Sequence, residues 1–303
     1  MFYARFVLLL QTNLKPLLRV IMRKILFFIA AFIVLSAIGF STVGCSDKKT
    51  AADSTSVDTA KTDSTAQDTL DDVISSTPMP KAADELFDDF IFNFAANRKL
   101  QKKRIKFPLP VYTGKKLTYI QPKQWKMEHF FMRQDFYTVI FDNLKQMNLV
   151  KDTSIDNVVI EKIYLPKRNV KQYYFKRING QWMMTAMNVN AIYQNANSSF
   201  LNFYREFASD TAFQIRHINN PLNFTGPDPD DDFSNMSGVL APEQWPSFAP
   251  QLPSRMIYNI IYGQKYTQSN QKIFCIRGIA NGLEQELTFR KKHGKWMLVK
   301  LSM

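Results

Sequence analysis

The sequence predicts an α+β protein whose globular part consists of two related units, residues 82–191 and 192–303, behind an export signal and a polar tether. Three observations predict this class. The length of 303 residues suits about two domains. A pattern of aromatic, proline and glycine residues occurs twice in the same order. In each copy, apolar residues at helical spacing come first, and the alternating apolar residues typical of strands follow.

The two copies keep a nearly constant register. Seven residues recur 113 positions later: Phe87, Phe90, Phe94, Ala95, Ile105, Pro108 and Leu109 as Phe200, Phe203, Phe207, Ala208, Ile218, Pro221 and Leu222. Three recur 120 positions later: Pro122, Gln124 and Trp125 as Pro242, Gln244 and Trp245. Three recur 114 positions later: Phe175, Gly180 and Trp182 as Phe289, Gly294 and Trp296. Most shared residues suit packing and turns, and shared acid or base residues, which two enzymes of one kind would need, are not evident.

Each copy predicts a helix followed by strands. Helical spacing predicts a helix over 84–104 and another from about 198, and Pro108 and Pro221 end the two helical regions. Alternation predicts eight strands: Phe136–Phe141, Val158–Tyr164, Lys171–Arg177, Trp182–Val189, Met256–Tyr262, Lys272–Ile279, Leu283–Lys291 and Trp296–Leu301. Asn179-Gly180 and His293-Gly294 suit the positive φ angles of tight hairpin turns.

Residues 1–44 have the order of a secretory signal. A basic Arg23-Lys24 pair precedes the apolar run Ile25–Phe40, whose 16 residues fall short of the ~20 that a transmembrane helix needs. Val43-Gly44-Cys45 resembles the bacterial lipobox, with Thr42 in place of the usual Leu, and this resemblance implies lipid attachment at Cys45. The alternative is a plain signal-anchor. Because the signal is complete from Met22, we expect translation to start there.

Residues 45–81 predict a disordered tether. The stretch is rich in Ser, Thr, Asp and Ala and contains no aromatic residue, so it cannot bury enough apolar surface to offset the entropy of ordering. A flexible coil of about 35 residues has an r.m.s. reach of roughly 30–35 Å. We therefore expect a protein that is lipid-anchored in the bacterial cell envelope, at the outer membrane.

The net charge of +13 predicts no particular partner by itself. The lysines occur as scattered pairs without a nucleic-acid motif, so a solvated basic surface is favoured and a nucleic-acid partner is not expected. Two cysteines, Cys45 and Cys275, exclude a disulfide framework. Cys275 lies in an apolar strand and is expected to act as a small buried hydrophobe.

The closing hairpin of each copy carries a motif: an aromatic residue, a basic residue, three variable positions, Gly, one variable position and Trp. It runs from Phe175 to Trp182 and from Phe289 to Trp296. With the N-terminal helix, this motif resembles the nuclear transport factor 2-like (cystatin-like) superfamily. The resemblance implies two tandem units, each an N-terminal helix packed on a curved antiparallel sheet around a cone-shaped cavity. The whole layout resembles Gram-negative envelope lipoproteins of unknown function.

Candidate site residues are few. Trp125, Trp182, Trp245 and Trp296 are possible cavity or core aromatics. His129, His217 and His293 lack a partner pattern that would make them catalytic, so no catalytic residue is assigned. The segment 226–235 spaces Asp228, Asp230 and Asp232 like the start of a calcium loop, but Phe233 and Val239 stand where Gly and Glu would be required. We interpret it as an acidic solvated loop and predict no metal and no cofactor.

The function predicted first is a non-enzymatic envelope lipoprotein that binds a small ligand, a glycan or an envelope protein. The alternative is an enzyme that uses one cone as the pocket for a small polar substrate. A second alternative is a structural spacer whose cones are filled. Convergent ionisable groups in a cone would favour the enzyme, whereas aromatic and Met side chains would favour binding or a plain core.

The lipobox generates the first testable prediction. Replacing Cys45 with Ser should abolish incorporation of labelled fatty acid, because the thiol is the acyl acceptor. Cys275→Ala is the matched control and should keep the label. Fatty-acid labelling followed by membrane fractionation measures both, and a Cys45→Ser variant that still carries label would contradict the assignment.

Overall fold

A computed structural model describes residues 81–228, 230–264 and 269–303, which form a mixed α+β structure with two sheets. The signal region, Cys45 and the tether up to residue 80 lie outside the described residues. In the part that is described, none of the helices combines the length and the hydropathy needed to cross a bilayer.

Six short α-helices occur in the described residues: α1 Phe87–Ala96, α2 Arg98–Arg104, α3 Leu144–Met147, α4 Ser198–Phe207, α5 Thr211–Arg216 and α6 Trp245–Phe248. The prediction of a single helix over 84–104 is wrong, because the helix is interrupted at Asn97. The Asn97 side chain accepts a hydrogen bond from Leu100 N at 2.9 Å and so caps α2. Asp210 caps α5 in the same way, accepting from Phe213 N at 2.9 Å.

The described residues contain twelve strands: β1 Leu109–Thr113, β2 Lys116–Ile120, β3 Phe136–Phe141, β4 Asn157–Tyr164, β5 Asn169–Ile178, β6 Gln181–Ala191, β7 Ile218–Asp228, β8 Asp231–Leu240, β9 Met256–Ile261, β10 Gln271–Gly278, β11 Glu284–Lys292 and β12 Lys295–Ser302. Eight lie where alternation predicts strands. Sequence analysis misses the hairpins β1–β2 and β7–β8, because β2 and most of β8 are exposed and have no buried face to alternate. The predicted acidic loop 226–235 is wrong in form, since it is the end of the β7–β8 hairpin.

Two further hairpins take the predicted turns. Asn179 and Gly180 have φ of 50° and 75° between β5 and β6, and His293 and Gly294 have φ of 48° and 79° between β11 and β12. Two consecutive positive φ angles match the twist of the flanking strands, which is why Gly is needed at the second position.

The two six-stranded sheets have equivalent strand orders. The first runs β2-β1-β6-β5-β4-β9, and the second runs β8-β7-β12-β11-β10-β3. In both, the third strand in this order, β6 or β12, is the last strand of its copy along the chain. Each sheet ends on a strand from the other half of the sequence, β9 or β3. β9 pairs antiparallel with β4 and β3 pairs antiparallel with β10. The halves therefore exchange one strand each.

The two exchanged strands also contact each other. Thr138 Oγ1 donates to Tyr258 O at 2.6 Å and accepts from Tyr258 N at 2.9 Å. Asn259 Oδ1 accepts from Ile140 N at 2.9 Å. These buried side chains satisfy backbone groups where β3 and β9 cross, so the exchange is held by specific hydrogen bonds as well as by the ladders.

Each hydrophobic core draws on both halves. The core around α1 includes Tyr258, Ile260 and Ile273 from the second half. The core around α4 includes Ile140 and Ile163 from the first half. Neither core is complete without the other half of the chain.

Trp182 and Trp296 occupy equivalent places in the two cores, with 0% and 5% exposure. The Trp182 ring lies 5.0 Å from the ring of Phe87, and the Trp296 ring lies 5.5 Å from the ring of Phe200. Both contacts are edge-to-face and join the closing hairpin to the helix of the same copy.

This packing predicts the result of Trp182→Ala and Trp296→Ala. Each should lower the free energy of unfolding by ~3–5 kcal/mol, a large share of the ~5–15 kcal/mol typical of a domain. Because the halves exchange strands, each variant should lose both halves in one transition, with fluorescence and circular dichroism coinciding in denaturant. Tyr193→Ala, at a 76% exposed aromatic, is the control and should unfold like wild type. Two separate transitions would contradict the interlocked fold.

Candidate functional site

The residues common to both copies have structural roles. Trp125 Nε1 donates to Gln101 Oε1 at 3.0 Å, and Trp245 Nε1 donates to Gln214 Oε1 at 2.8 Å. Each of these glutamines also donates to a helix carbonyl of its own copy. Trp125 and Trp245 are 6% and 0% exposed and belong to the cores. All four tryptophans named from the sequence belong to the cores, and Trp296 also lines a small pocket of about 170 Å³. The correspondence of Gln101 and Gln214 was not noticed in the sequence.

The shared Gln124 and Gln244 hold loops. Gln124 Oε1 accepts from Gln121 N and Gln244 Oε1 accepts from Ala241 N, both at 2.8 Å. These bonds close the turns that precede Trp125 and Trp245. Since the shared residues are needed for the fold, a functional site is to be sought where the two copies differ.

The histidines are placed apart from one another. His217 caps α5, contacts Phe213 O through Nδ1 at 2.8 Å and stacks on the Phe213 ring at 3.9 Å. His293 is exposed in the β11–β12 turn, and His129 precedes a short 3-10 helix. The geometry of His217 and His293 is explained by a helix end and a turn.

One cluster of ionisable side chains lies on the first sheet. This Glu128 cluster consists of Glu128, Lys162, Lys171 and Tyr173. Lys162 Nζ donates to Glu128 Oε1 at 3.0 Å, and the Tyr173 hydroxyl donates to Glu128 Oε2 at 2.5 Å. Lys171 Nζ lies 3.7 Å from Glu128 Oε2. The side chains of Lys162, Glu128 and Lys171 are 14%, 17% and 32% exposed, so solvent reaches the cluster.

The cluster shifts the pKa values of its members. Burial alone would raise the pKa of Glu128. The hydrogen bond from Tyr173, together with the positive charge and the hydrogen bond of Lys162, outweighs burial, so the pKa of Glu128 is lowered. Burial lowers the pKa of Lys171, against the attraction of Glu128. Burial and the neighbouring carboxylate raise the pKa of Tyr173 far above its ordinary value. Glu128 is thus an ionised, hydrogen-bonded carboxylate at neutral pH.

The second copy has no such cluster. The positions equivalent to Glu128, Lys162, Lys171 and Tyr173 are Phe248, Ile276, Gln285 and Leu287. Both copies nevertheless fold into equivalent sheets. The fold therefore does not require the charges, and the Glu128 cluster is a specific feature of the first copy.

A cleft of about 630 Å³ adjoins this cluster. Its walls come from the start of β3, the end of β4 and the segment that leads into β9: Gln134, Phe136, Tyr164, Pro166, Lys167, Gln251, Leu252, Pro253, Ser254, Arg255 and Met256. The Tyr164 ring connects the two features, because Lys162 Nζ and Lys167 Nζ each lie 5.9 Å from its centroid. The lining residues include two cations and no carboxylate.

The strand exchange creates an equivalent junction on the other side. Leu165 N donates to Arg255 O at 3.1 Å beside the cleft, and Ile279 N donates to Asp135 O at 3.1 Å at the equivalent place. The backbone is therefore alike at the two junctions, while the side chains differ. Tyr164, Lys167 and Arg255 correspond to Gly278, Asn281 and Asp135. At these three positions the cleft has an aromatic ring and two cations, and the other junction has a glycine, an amide and a carboxylate.

Asp88 forms a separate polar contact. Tyr262 donates its hydroxyl hydrogen to Asp88 Oδ1 at 2.7 Å at the base of α1. Burial raises the pKa of Asp88 to about 6, against the lowering effect of the Tyr262 bond and of Arg277. Asp88 does not line the cleft, and its partner Tyr262 is a core residue.

Sequence analysis missed these features because their members are far apart in the chain. Glu128 lies 34 residues from Lys162 and 45 residues from Tyr173. The signal was present in the repeat, but in the differences between the copies. Some charged residues of one copy are apolar in the other, as with Glu128 and its equivalent Phe248. Such a pair marks a position where the common backbone does not require one residue type.

The lowered pKa of Glu128 predicts the pH dependence of Glu128→Gln. A carboxylate with a depressed pKa stabilises the folded state above its unfolded pKa of ~4.3, and this contribution is lost as the pH falls through the folded pKa. The variant should be about 1–3 kcal/mol less stable than wild type at pH 7, since the buried Tyr173 and the half-buried Lys162 lose a charged acceptor. The difference should shrink on acidification below pH ~4.3. Glu243→Gln, at an exposed carboxylate, is the control, and denaturation at several pH values decides.

Comparisons with known proteins bear on the fold. The model of a domain of unknown function, DUF4348, matches residues 66–303. A crystal structure at 2.15 Å resolution of a nuclear transport factor 2-like protein from Bacteroides fragilis is 45% identical in sequence, with a TM-score of 0.69. The similarity covers 74% of this chain and 98% of that chain. No protein with curated function matches. The chain belongs to the DUF4348 family, and its fold is of the nuclear transport factor 2-like kind.

Proposed function

We propose that the protein is a lipid-anchored envelope protein of two tandem nuclear transport factor 2-like units that binds a small anionic ligand in the cleft and does not transform it. The observation that carries this proposal is the difference between the two equivalent junctions. Tyr164, Lys167 and Arg255 replace the Gly278, Asn281 and Asp135 of the other junction. All three differences favour an anionic ligand with a ring, and none is required by the common backbone.

The chemistry of the cleft indicates the class of ligand. Lys167 and Arg255 attract a carboxylate or phosphate, and a guanidinium can bind such a group through two parallel hydrogen bonds. Phe136 and Tyr164 offer apolar ring surface, and Gln134 adds an amide for hydroxyl groups. A volume of about 630 Å³ lies within the ~300–1,000 Å³ usual for small-molecule sites. An acidic sugar has the charge, the flat apolar face and the hydroxyls that these residues fit.

The Glu128 cluster supports binding over catalysis. A general acid or base works best when its pKa lies near the operating pH. The pKa of Glu128 is lowered, and its carboxylate already accepts from Lys162 and Tyr173. The cluster therefore suits holding the cleft wall in place. Each copy has a core of packed aromatic side chains, which supports a plain core over a substrate pocket between helix and sheet.

Anchoring rests on the lipobox resemblance at Cys45, which lies outside the described residues. Two or more acyl chains hold a protein stably on a bilayer where one does not. The only other cysteine, Cys275, is buried, and burial raises its pKa to about 12, so its thiol is protonated and unreactive. Cys45 is accordingly the thiol available for acylation.

Calorimetric titration of residues 81–303 with glucuronate, galacturonate and short oligomers of each tests the proposal. The crystallised relative, 98% of which is matched, supports the use of this fragment as a folding unit. At least one acidic probe should bind, while glucose should bind more weakly. Lys167→Gln with Arg255→Gln should weaken binding at least about tenfold, since charge-assisted bonds contribute ~1.5–3 kcal/mol.

Lys145→Gln with Lys151→Gln is the matched control, because these exposed lysines lie outside the cleft and remove the same charge. This variant should bind like wild type. Equal losses in the two double variants would show a general charge effect and contradict the cleft. Recovery of a chemically altered probe after incubation would contradict binding without transformation and favour an enzyme.

A further inference from the structure

A second feature lies away from the cleft, in residues 98–127, here called the basic region. It comprises α2, the β1–β2 hairpin and the loop that follows. It contains ten basic residues and no acidic one. Arg104 is buried and paired with Asp84 at 2.7 Å. The other nine are exposed: Arg98, Lys99, Lys102, Lys103, Lys106, Lys115, Lys116, Lys123 and Lys126.

The fold joins the three segments of the basic region. Gln101 on α2 accepts from Trp125 Nε1 and from Glu128 N, so the loop after β2 is fastened to α2. β1 and β2 pair along their length, which places Lys115 and Lys116 at the tip of one hairpin. The scattered lysines of the sequence are thus gathered by tertiary contacts.

Exposed apolar side chains accompany these charges. Tyr112 and Leu117 are cross-strand partners and are each 43% exposed, and Tyr119 on the same face of β2 is 55% exposed. Lysines bordering exposed Tyr and Leu are typical of surfaces that lie at a membrane interface. The rings and aliphatic groups enter the headgroup layer, and the ammonium groups pair with phosphates.

The equivalent region of the second copy has the opposite charge. Residues 211–247 contain one arginine and five acidic residues, namely Asp228, Asp230, Asp231, Asp232 and Glu243. The β1–β2 and β7–β8 hairpins occupy equivalent edges of the two sheets. At these two equivalent edges, one hairpin is therefore basic and the other acidic, although the strand orders of the two sheets are the same.

We infer that the basic region docks on an anionic lipid bilayer. Charge complementarity favours a phosphate-rich surface, and the exposed Tyr112, Leu117 and Tyr119 distinguish an interfacial surface from a merely solvated one. The acidic β7–β8 hairpin is repelled by the same bilayer, so the charge asymmetry selects one orientation. The inference concerns a different surface from the cleft and does not depend on the ligand bound there.

Flotation of residues 81–303 with lipid vesicles tests the inference. Vesicles of phosphatidylcholine with one-third phosphatidylglycerol should bind the protein, whereas pure phosphatidylcholine should not, and added salt should weaken binding. Lys115→Gln with Lys116→Gln should reduce the partition coefficient about fivefold for each lysine. Tyr119→Ser should also reduce it, because the exposed ring enters the interface. Unchanged thermal midpoints would show that these exposed changes leave the fold intact.

Lys295→Gln with Lys300→Gln is the matched control. Both lysines are exposed on β12, and the variant loses the same net charge from the other sheet. It should bind vesicles like wild type. Equal losses in both double variants, or absence of binding to the anionic vesicles, would overturn the inference. So would salt-sensitive self-association through the basic and acidic hairpins, with no vesicle binding.

Discussion

The pairing of β9 with β4 and of β3 with β10 is the constraint on which the rest of the structure depends. An edge strand exposes unpaired backbone groups, and the exchanged strands pair with β4 and β10, which would otherwise end the two sheets. They also carry Tyr258, Ile260 and Ile140 into the cores of the opposite halves. Removing either half would therefore leave an open edge and an incomplete core in the other.

Buried polar residues hold this exchange in register. Glu161 on β4 is 1% exposed and accepts from Asn259, Gln172 and Asn195 at 2.7–2.9 Å. Burial raises the pKa of Glu161, and these three donors oppose the shift. Asn259 in turn accepts from Ile140 N, which links β4, β9 and β3 through two side chains. A shift of the strand pairing by one residue would place these polar side chains among apolar ones. Burying a polar group without a hydrogen-bond partner there would lower the stability of the fold.

Elements with a buried face could be predicted from the sequence, and exposed ones could not. Apolar alternation located the eight strands of the closing parts, such as Phe136–Phe141, to within two residues. β2 has no buried face, so its sequence lacks the apolar alternation that predicts a strand. The predicted helix is interrupted at Asn97 because the Asn97 side chain accepts a hydrogen bond from a backbone N–H. The sequence signal of this local bond is weaker than that of apolar periodicity, so the interruption was not predicted. The partner of each strand was also beyond prediction, since β3 and β9 have the same pattern whichever sheet they join.

Equivalent positions in the two sheets distinguish residues that the fold requires from residues that it does not. Where both copies keep a residue, as with Trp182 and Trp296, each occupies the same place in a core and its removal opens a cavity. Where the copies differ in charge on a common backbone, the backbone fold forms with either set of side chains. Arg255, equivalent to Asp135, is such a position and lines the cleft. Glu128, equivalent to Phe248, is another, and it bonds Lys162, whose Nζ lies 5.9 Å from the Tyr164 ring of the cleft. The strand exchange forms two junctions with the same backbone hydrogen bond, and the proposed ligand site depends on the side chains that differ between them. The β1–β2 and β7–β8 hairpins likewise lie at equivalent sheet edges and carry opposite charges. An anionic surface that attracts the basic hairpin would therefore repel the acidic one.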